Sequence, residues 1–423
     1  MNGSSARPGL SLLGTFVLTL LGVAGPWAAS AGPEPFPPAR ASEDLPQALR
    51  AGDGFRVREA GTSDAFLTTW EMESDYGLFL CPSSRLLEVR VREVSVMARL
   101  AKSNPEDEVV RGLQNGLVAI PTSVVRIVED PVAVGEGVVT GAKRTLGRIG
   151  DAFGRRKATG YEDGGPDALL FSSEKRKVAA ELGVDVYSTN SKLQEMLTGV
   201  AKARRAGGFG VDLAKSAVPG GAGTALSGLS LTTDLTSLLR DRTPAELDRL
   251  ADEKMAAGGV MPSLRRAFLG NRALSPRHRT SIADAVARLK GAENPAALVE
   301  AANETRTEAQ ALLHEEQAVF LAERHATADP IASLDASGGL VAAFTRTGAM
   351  LVPLPIDAIA LVPEVEIAAD ALLSMPAAAG ATSRTLLVTG KLTTAARAYL
   401  ESRGFAVRTG PLRSSEAAGA PGR

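Results

Sequence analysis

Hydrophobic and polar positions along the chain change period several times, and the changes divide it. Near residue 54 the pieces "FRVREA" and "DAFLTTWEM" alternate apolar with polar side chains, and Gly61, Ser63 and Asp64 between them suit a turn, so a short antiparallel pair is predicted. From Arg85 the period lengthens. Leu87, Val91, Val94, Ala98 and Ala101 fall at helical spacing, with Arg90, Arg92 and Glu93 assigned to the polar face. Residues 171–200 read as helix, loop and helix: Gly183 stops the first, and Ser188, Thr189 or Asn190 caps the second.

Start signals sharpen after residue 240. Thr243-Pro244-Ala245-Glu246 is a capping box with proline at the first helical position, and Ser275-Pro276 and Asn294-Pro295 have the same cap-plus-proline form. Three or four helices with short connections are predicted for this bundle. Beyond Pro330, "GGLVAAFTRTGAMLVPLP" and "IDAIALVP" are strand-like runs bounded by proline and glycine, and "EVEI" has the alternation of a half-buried strand. Finally "TLLVTG", "KLTTAARAYLESRG" and "FAVRTG" predict strand, helix and strand over 385–409, a parallel pair with Thr393 as helix cap and Gly404 as stop.

The predicted class is therefore α+β and predominantly α-helical, with a helical bundle in the middle, short strands near the N-terminus and a C-terminal strand-helix-strand unit. The divisions are a signal peptide over 1–31, a proline-rich linker over 32–53 and an N-terminal α+β region over 54–200. After these come a Gly/Ala-rich segment over 201–240, the bundle over 241–330, an α/β region over 331–410 and a disordered tail over 411–423. The signal peptide rests on Arg7, the apolar run from Leu10 to Trp27 and the small residues Ala29-Ser30-Ala31, with cleavage after Ala31. An uncleaved anchor is the rival, since the run approaches the ~20 residues of a membrane span.

Composition adds constraints. With 47 basic and 48 acidic residues the net charge is −1, which gives no electrostatic reason to expect a nucleic-acid partner. The lone Cys81 has no internal disulfide partner and reads as a small buried apolar residue after "GLFL". One local patch is strongly basic. Over 131–157 a helical stripe including Val134, Val138, Ile149 and Phe153 is flanked by Lys143, Arg144, Arg148, Arg155, Arg156 and Lys157, with paired glycines at four-residue spacing. Such a segment packs on its own protein or lies on a membrane surface, and Lys143, Arg144, Arg148, Phe153, Arg155 and Arg156 are the residues that would make the membrane or partner contact.

Candidate chemistry is sparse. "LLHEEQAVFLAERH" places His314 and His325 on nearly one helical face, but eleven residues rise about 16 Å, so they cannot share one zinc ion, and H-E-x-x-H is not completed. This leaves a solvated, charged face near a helix end. Ser172-Ser173-Glu174-Lys175 and Ser188-Thr189-Asn190 match S-x-x-K and S-x-N, two pieces of the penicillin-recognising serine enzymes, yet the K-T-G strand is missing and only thirteen residues separate them. Ser172 or Ser173 then reads as a helix cap and Ser188 as a turn residue. "GEGVVTG" and "GGAGTALSG" lack the flanking features of nucleotide loops, and Glu364 with Glu366 or Glu73 with Asp75 are carboxylate pairs without further support. No cofactor or metal is expected.

Three stretches, "KRKVAAELGVDVYSTNSKLQEML", "TPAELDRLADEKMAAGGV" with "SPRHRTSIADAVARL", and "VTGKLTTAARAYLESRGFAVR", resemble exported bacterial proteins of unassigned function. The resemblance implies export to the periplasm or medium and brings no catalytic residues. Together with the lack of a complete catalytic constellation, it leads to the expectation of a non-enzymatic cell-envelope or binding component with a protein or envelope partner. The alternatives are a peripheral membrane-surface protein acting through 131–157 and a hydrolase whose site is assembled from distant segments around His278, His314 or His325.

Overall fold

The computed structural model describes residues 38–103, 166–205 and 233–412. It is α+β and helix-dominated, with 52% of the described residues in helices and 21% in strands. The segments 1–31, 131–157 and 413–423, including the six basic-patch residues named above, lie outside the described residues.

The N-terminal part opens with β1 (Ala39–Arg40), α1 (Ala41–Asp44), α2 (Gln47–Arg50) and β2 (Ala51–Gly52). This corrects the linker expected over 32–53 where it is described. Ala39, Ala41, Leu45 and Leu49 are each buried and belong to the first hydrophobic core, so four well-spaced apolar side chains outweigh a proline-rich composition. β3 (Phe55–Val57), β4 (Ala60–Ser63), β5 (Thr68–Ser74) and β6 (Gly77–Cys81) follow, all pairs being antiparallel, with β6 along one edge of β5 and β3 along the other. The predicted pairing of "FRVREA" with "DAFLTTWEM" is present as β3 with β5, although Gly61 sits inside β4 rather than in a turn.

Against this sheet lies α3 (Ser84–Ser103), whose Leu87, Val91, Val94 and Met97 share a core with Trp70 and Met72 of β5. The same core takes in Val178 and Leu182 of α4 (Pro166–Leu182) and Leu193, Leu197 and Val200 of α5 (Ser191–Arg205). Gly183 closes α4 at φ +69°, a conformation that favours glycine, and the Asn190 side chain accepts from the backbone N–H groups of Lys192 and Leu193. Ser172 and Ser173 are inside α4 and do not cap it.

The middle of the chain holds α6 (Thr233–Asp241), α7 (Pro244–Ala257), α8 (Pro262–Gly270), α9 (Pro276–Arg288), α10 (Ala297–Asn303) and α11 (Glu308–His325). Five helices thus occupy the stretch expected to hold three or four. The capping box at Thr243 forms as predicted, and the cap-plus-proline start at Ser275 is present as a full capping box with His278 in the third-position role. Asn294 does not cap. It takes φ +51° and donates to the Leu334 carbonyl, and α10 starts later behind Ala296 with no side-chain cap. α8 also starts without one, behind Met261. α8 is the additional helix: Met261 supplies no capping side chain, and Pro262 alone marks its start.

The C-terminal part contains β7 (Ile331–Ser337), β8 (Leu340–Thr345), β9 (Ala349–Leu354), β10 (Ala358–Ile359), α12 (Pro363–Leu373), β11 (Ser383–Val388), β12 (Lys391–Leu392), α13 (Thr394–Ser402) and β13 (Ala406–Thr409). A five-stranded sheet runs β13-β11-β9-β8-β7, parallel between β13, β11 and β9 and antiparallel from β9 to β7. β8 explains its own continuous apolar run: Val341 and Ala343 enter the core shared with α7 to α11, while Ala342 and Phe344 enter a third core under α12 and α13. The strand expected at "EVEI" is helix α12, with Pro363 in its first turn, Val365 buried, and Glu364, Glu366 and Ile367 exposed. A four-residue alternation is compatible with either period, and the proline decides it.

Candidate functional site: a buried polar junction

Charged side chains gather where α3, the loop before α5, α9 and α11 meet. α3 brings Arg90 and Glu93, one helical turn apart and only 6% and 1% exposed. Their assignment to a solvated face is therefore corrected. Arg90 Nη1 donates to both Glu93 oxygens at 3.1 and 3.0 Å, and its Nη2 donates to Thr189 Oγ1 at 2.7 Å and Glu308 Oε2 at 2.5 Å. Glu93 also accepts from the Ser188 hydroxyl at 2.5 Å and from Asn190 Nδ2 at 3.0 Å. The S-x-N stretch is thus a set of donors to a buried carboxylate. Burial pulls the Arg90 guanidinium toward neutrality, but Glu308 and Glu93 together overcome this and hold its pKa above the ordinary value. For Glu93 burial wins and raises the carboxyl. Burial opposes ionisation of Glu308 too, yet Arg90 and Thr189 bring it below the usual carboxylate range.

A second set adjoins the first. Arg277, second residue of α9, donates from Nε to Glu315 Oε1 at 3.3 Å and faces Asp185 Oδ2 at 3.7 Å. His278 follows. Its Nδ1 lies 3.2 Å from the Ser275 backbone nitrogen and 2.9 Å from Ser275 Oγ, and its Nε2 lies 3.6 Å from Glu315 Oε2. Ser275, His278 and Glu315 are 8%, 4% and 6% exposed. Burial lowers the pKa of His278 despite the attraction of Glu315. Glu315 itself is held low, because Arg277 and His278 outweigh its burial.

The stretch "LLHEEQAVFLAERH" is likewise not a solvated face. His314 and Glu315 are buried with Gln317, whose amide donates to the Pro353 carbonyl at 2.7 Å and so fixes α11 to β9. His314 is pulled down to about 4 by burial. His325 stands apart, with Nε2 at 3.2 Å from the Lys290 carbonyl. Among the described residues no group of three or more His, Cys, Asp and Glu side chains is arranged to hold a metal ion. Cys81 is fully buried, its thiol pushed up to about 12 by burial.

Another carboxylate joins the terminal parts. Asp357, in the turn after β9, accepts from the backbone N–H of Thr68 at 2.8 Å and of Ser84 at 3.0 Å, so it caps α3 from 273 residues away. Its own N–H donates to the Phe66 carbonyl at 2.9 Å. Gly390 makes the approach possible, since a Cβ there would stand 1.9 Å from the Asp357 carbonyl oxygen. On the surface, a shallow depression lies between the β2–β3 and β5–β6 turns, lined by Gly54, Phe55, Arg56, Glu73, Ser74 and Asp75.

Sequence reasoning named His278, His314, Ser188 and Asn190 individually but did not bring them together, nor did it reach Arg277, Glu308, Asp185 or Asp357 as a set. Nothing in the spacing of α3 announces the burial of Arg90 and Glu93, which lie off its apolar stripe and are covered because the helix packs on the N-terminal sheet, on α5 and on α11. Comparison with protein-family models, with curated proteins and with solved structures finds no match.

Proposed function

We propose that this chain is an exported, non-enzymatic binding component of the bacterial cell envelope. One observation carries the reading. Ser275, His278 and Glu315 stand in nucleophile–base–acid order, but the hydroxyl caps α9, the imidazole accepts from the same cap, and all three side chains are buried in the packed interior. The Ser275 hydroxyl and the His278 ring, 2.9 Å apart, are both engaged with the first turn of α9, and Glu315 with Arg277, inside the packed interior, which supports a structural role for the three. Export is supported by the Arg7-led apolar run and the small-residue site at Ala29-Ser30-Ala31.

Fractionation of cells producing the full chain, with N-terminal sequencing and in-cell cross-linking, tests it. The expected result is a chain beginning at Gly32 in the periplasm or medium, cross-linked to an envelope protein. A cytoplasmic chain retaining Met1 contradicts export. Hydrolytic turnover of an ester or peptide library that disappears in Ser275→Ala, with folding intact, contradicts the non-enzymatic reading.

A further inference from the structure

The geometry points to an acid-sensitive latch at the start of α9: neutral His278 holds the first turn of α9 in place beside α11, and uptake of a proton releases it. This goes beyond the proposed function and does not depend on it.

The tautomer is fixed by the partners. A backbone N–H only donates, so Nδ1, 3.2 Å from the Ser275 nitrogen, is the accepting nitrogen, and in the neutral ring the hydrogen sits on Nε2. Nε2 faces Glu315 Oε2 across 3.6 Å, and neither atom has a hydrogen-bond partner, although both residues are more than nine-tenths buried. A second proton has one place to go, Nδ1. There it meets the Ser275 N–H head on, donor against donor, and the reciprocal half of the capping box is lost. The new N–H can turn to Ser275 Oγ at 2.9 Å, whose second lone pair is open beside the one that takes the His278 N–H, but the Ser275 N–H then has no acceptor. Protonation therefore costs the first turn of α9 the Ser275 N–H half of its cap, the half that His278 alone supplies.

The surrounding charges decide the balance. On α9 itself Arg277 disfavours a cationic ring, while Glu315 and Glu308 from α11 and Asp185 from the loop before α5 favour it. Burial outweighs the acids and the ring is held neutral in the closed state, so opening α9 to water is what allows it to charge. The acids respond to pH as well. Asp185, raised by burial, opposes acid release, and Glu315 and Glu308, both held low, reinforce it.

His278→Gln isolates the histidine. Glutamine at the third position completes a capping box through its carbonyl, does not titrate, and leaves every neighbouring acid and Arg277 unchanged. Amide exchange of residues 276–281 is measured on the full chain at pH 7 and pH 5, corrected for intrinsic rates. Opening of the wild type is expected to rise on the order of tenfold on acidification, as follows for a histidine that titrates only when open; His278→Gln is expected to change less than about threefold by the same linkage. An equal rise in both proteins, or none in the wild type, overturns the latch. Should His278→Gln not fold, ring ¹⁵N shifts of the wild type decide: a neutral Nε2–H ring persisting until the α9 amides open supports it, and ordinary titration with the cap intact refutes it.

Discussion

At the scale of single residues, the interior turns familiar side chains into unfamiliar ones. Cys81 is the simplest case: a fully buried thiol raised to about 12 carries almost no thiolate at neutral pH. Native protein should resist a thiol-specific disulfide reagent that labels it stoichiometrically in urea; rapid labelling without denaturant would show that the β6 end is open. His314 makes a pH prediction. Its folded pKa, about 4, lies below the ordinary ~6.5, so the unfolded chain takes the proton first. Its contribution is therefore complete above about pH 6.5 and is lost as pH falls, amounting to roughly 2 kcal/mol at pH 5. Replacing His314 by glutamine should flatten the change in urea midpoint between pH 7 and pH 5; an unchanged slope would place the titration elsewhere. None of this was legible in "LLHEEQAVFLAERH", because a helix that packs on two sides buries residues which a single-stripe pattern assigns to water.

Elements were more legible where local chemistry specifies them. Thr243, Ser275 and Thr393 cap as their sequences indicate, and Gly183 and Gly404 take the positive φ that ends a helix. The strand-helix-strand unit at the C-terminus forms with β11 parallel to β13, because "TLLV" and "FAVRT" are each too short to be helices and a helix fills the gap between them. The departures are equally local: α8 has no side-chain cap to announce it, α10 starts two residues beyond Pro295 without Asn294 as its cap, and "EVEI" is too short to separate the two periods. Two substitutions check these element-scale arguments. Thr243→Ala removes the acceptor for the Glu246 N–H and should cost about 1 kcal/mol, measured by urea denaturation. Gly390→Ala should cost well above the ~1 kcal/mol typical of point changes, since its Cβ would overlap backbone 1.9 Å away rather than a movable side chain. A full-stability Gly390→Ala protein would mean that the turn around Asp357 is not packed as described.

For the whole molecule, the organising fact is that the three largest hydrophobic cores of the described residues are joined by polar groups as well as by apolar contacts such as Leu86 and Val89 of α3 against Leu312 of α11. The first core belongs to the N-terminal sheet with α3, α4 and α5, the second to α7 through α11 with β7 and β8, and the third to the other face of the C-terminal sheet. Arg90 connects the first to α11 through Glu308, Glu93 ties α3 to the loop before α5, and Asp357 connects the N-terminal sheet and α3 to the third. Partners such as Arg90 and Glu308 are 218 positions apart, and no local pattern announces a contact over that distance. No helix among the described residues is long and apolar enough to cross a membrane. The basic segment over 131–157 falls outside the described residues, so membrane association is a question for vesicle flotation. With Arg144, Arg148 and Arg155 changed to glutamate, loss of binding to anionic vesicles is the outcome a surface-binding role requires.

The central claim is that the buried charges are consumed in holding the cores together. Urea unfolding of wild type and Arg90→Ala, followed in parallel by Trp70 fluorescence and far-ultraviolet circular dichroism, tests it most directly. Coincident transitions are predicted for the wild type. For Arg90→Ala, which leaves the buried Glu93 and the half-buried Glu308 without their cation, a loss of about 3 kcal/mol is predicted, with the Trp70 signal of the first core unfolding ahead of the rest. An Arg90→Ala protein whose two transitions still coincide at the wild-type midpoint would contradict the account.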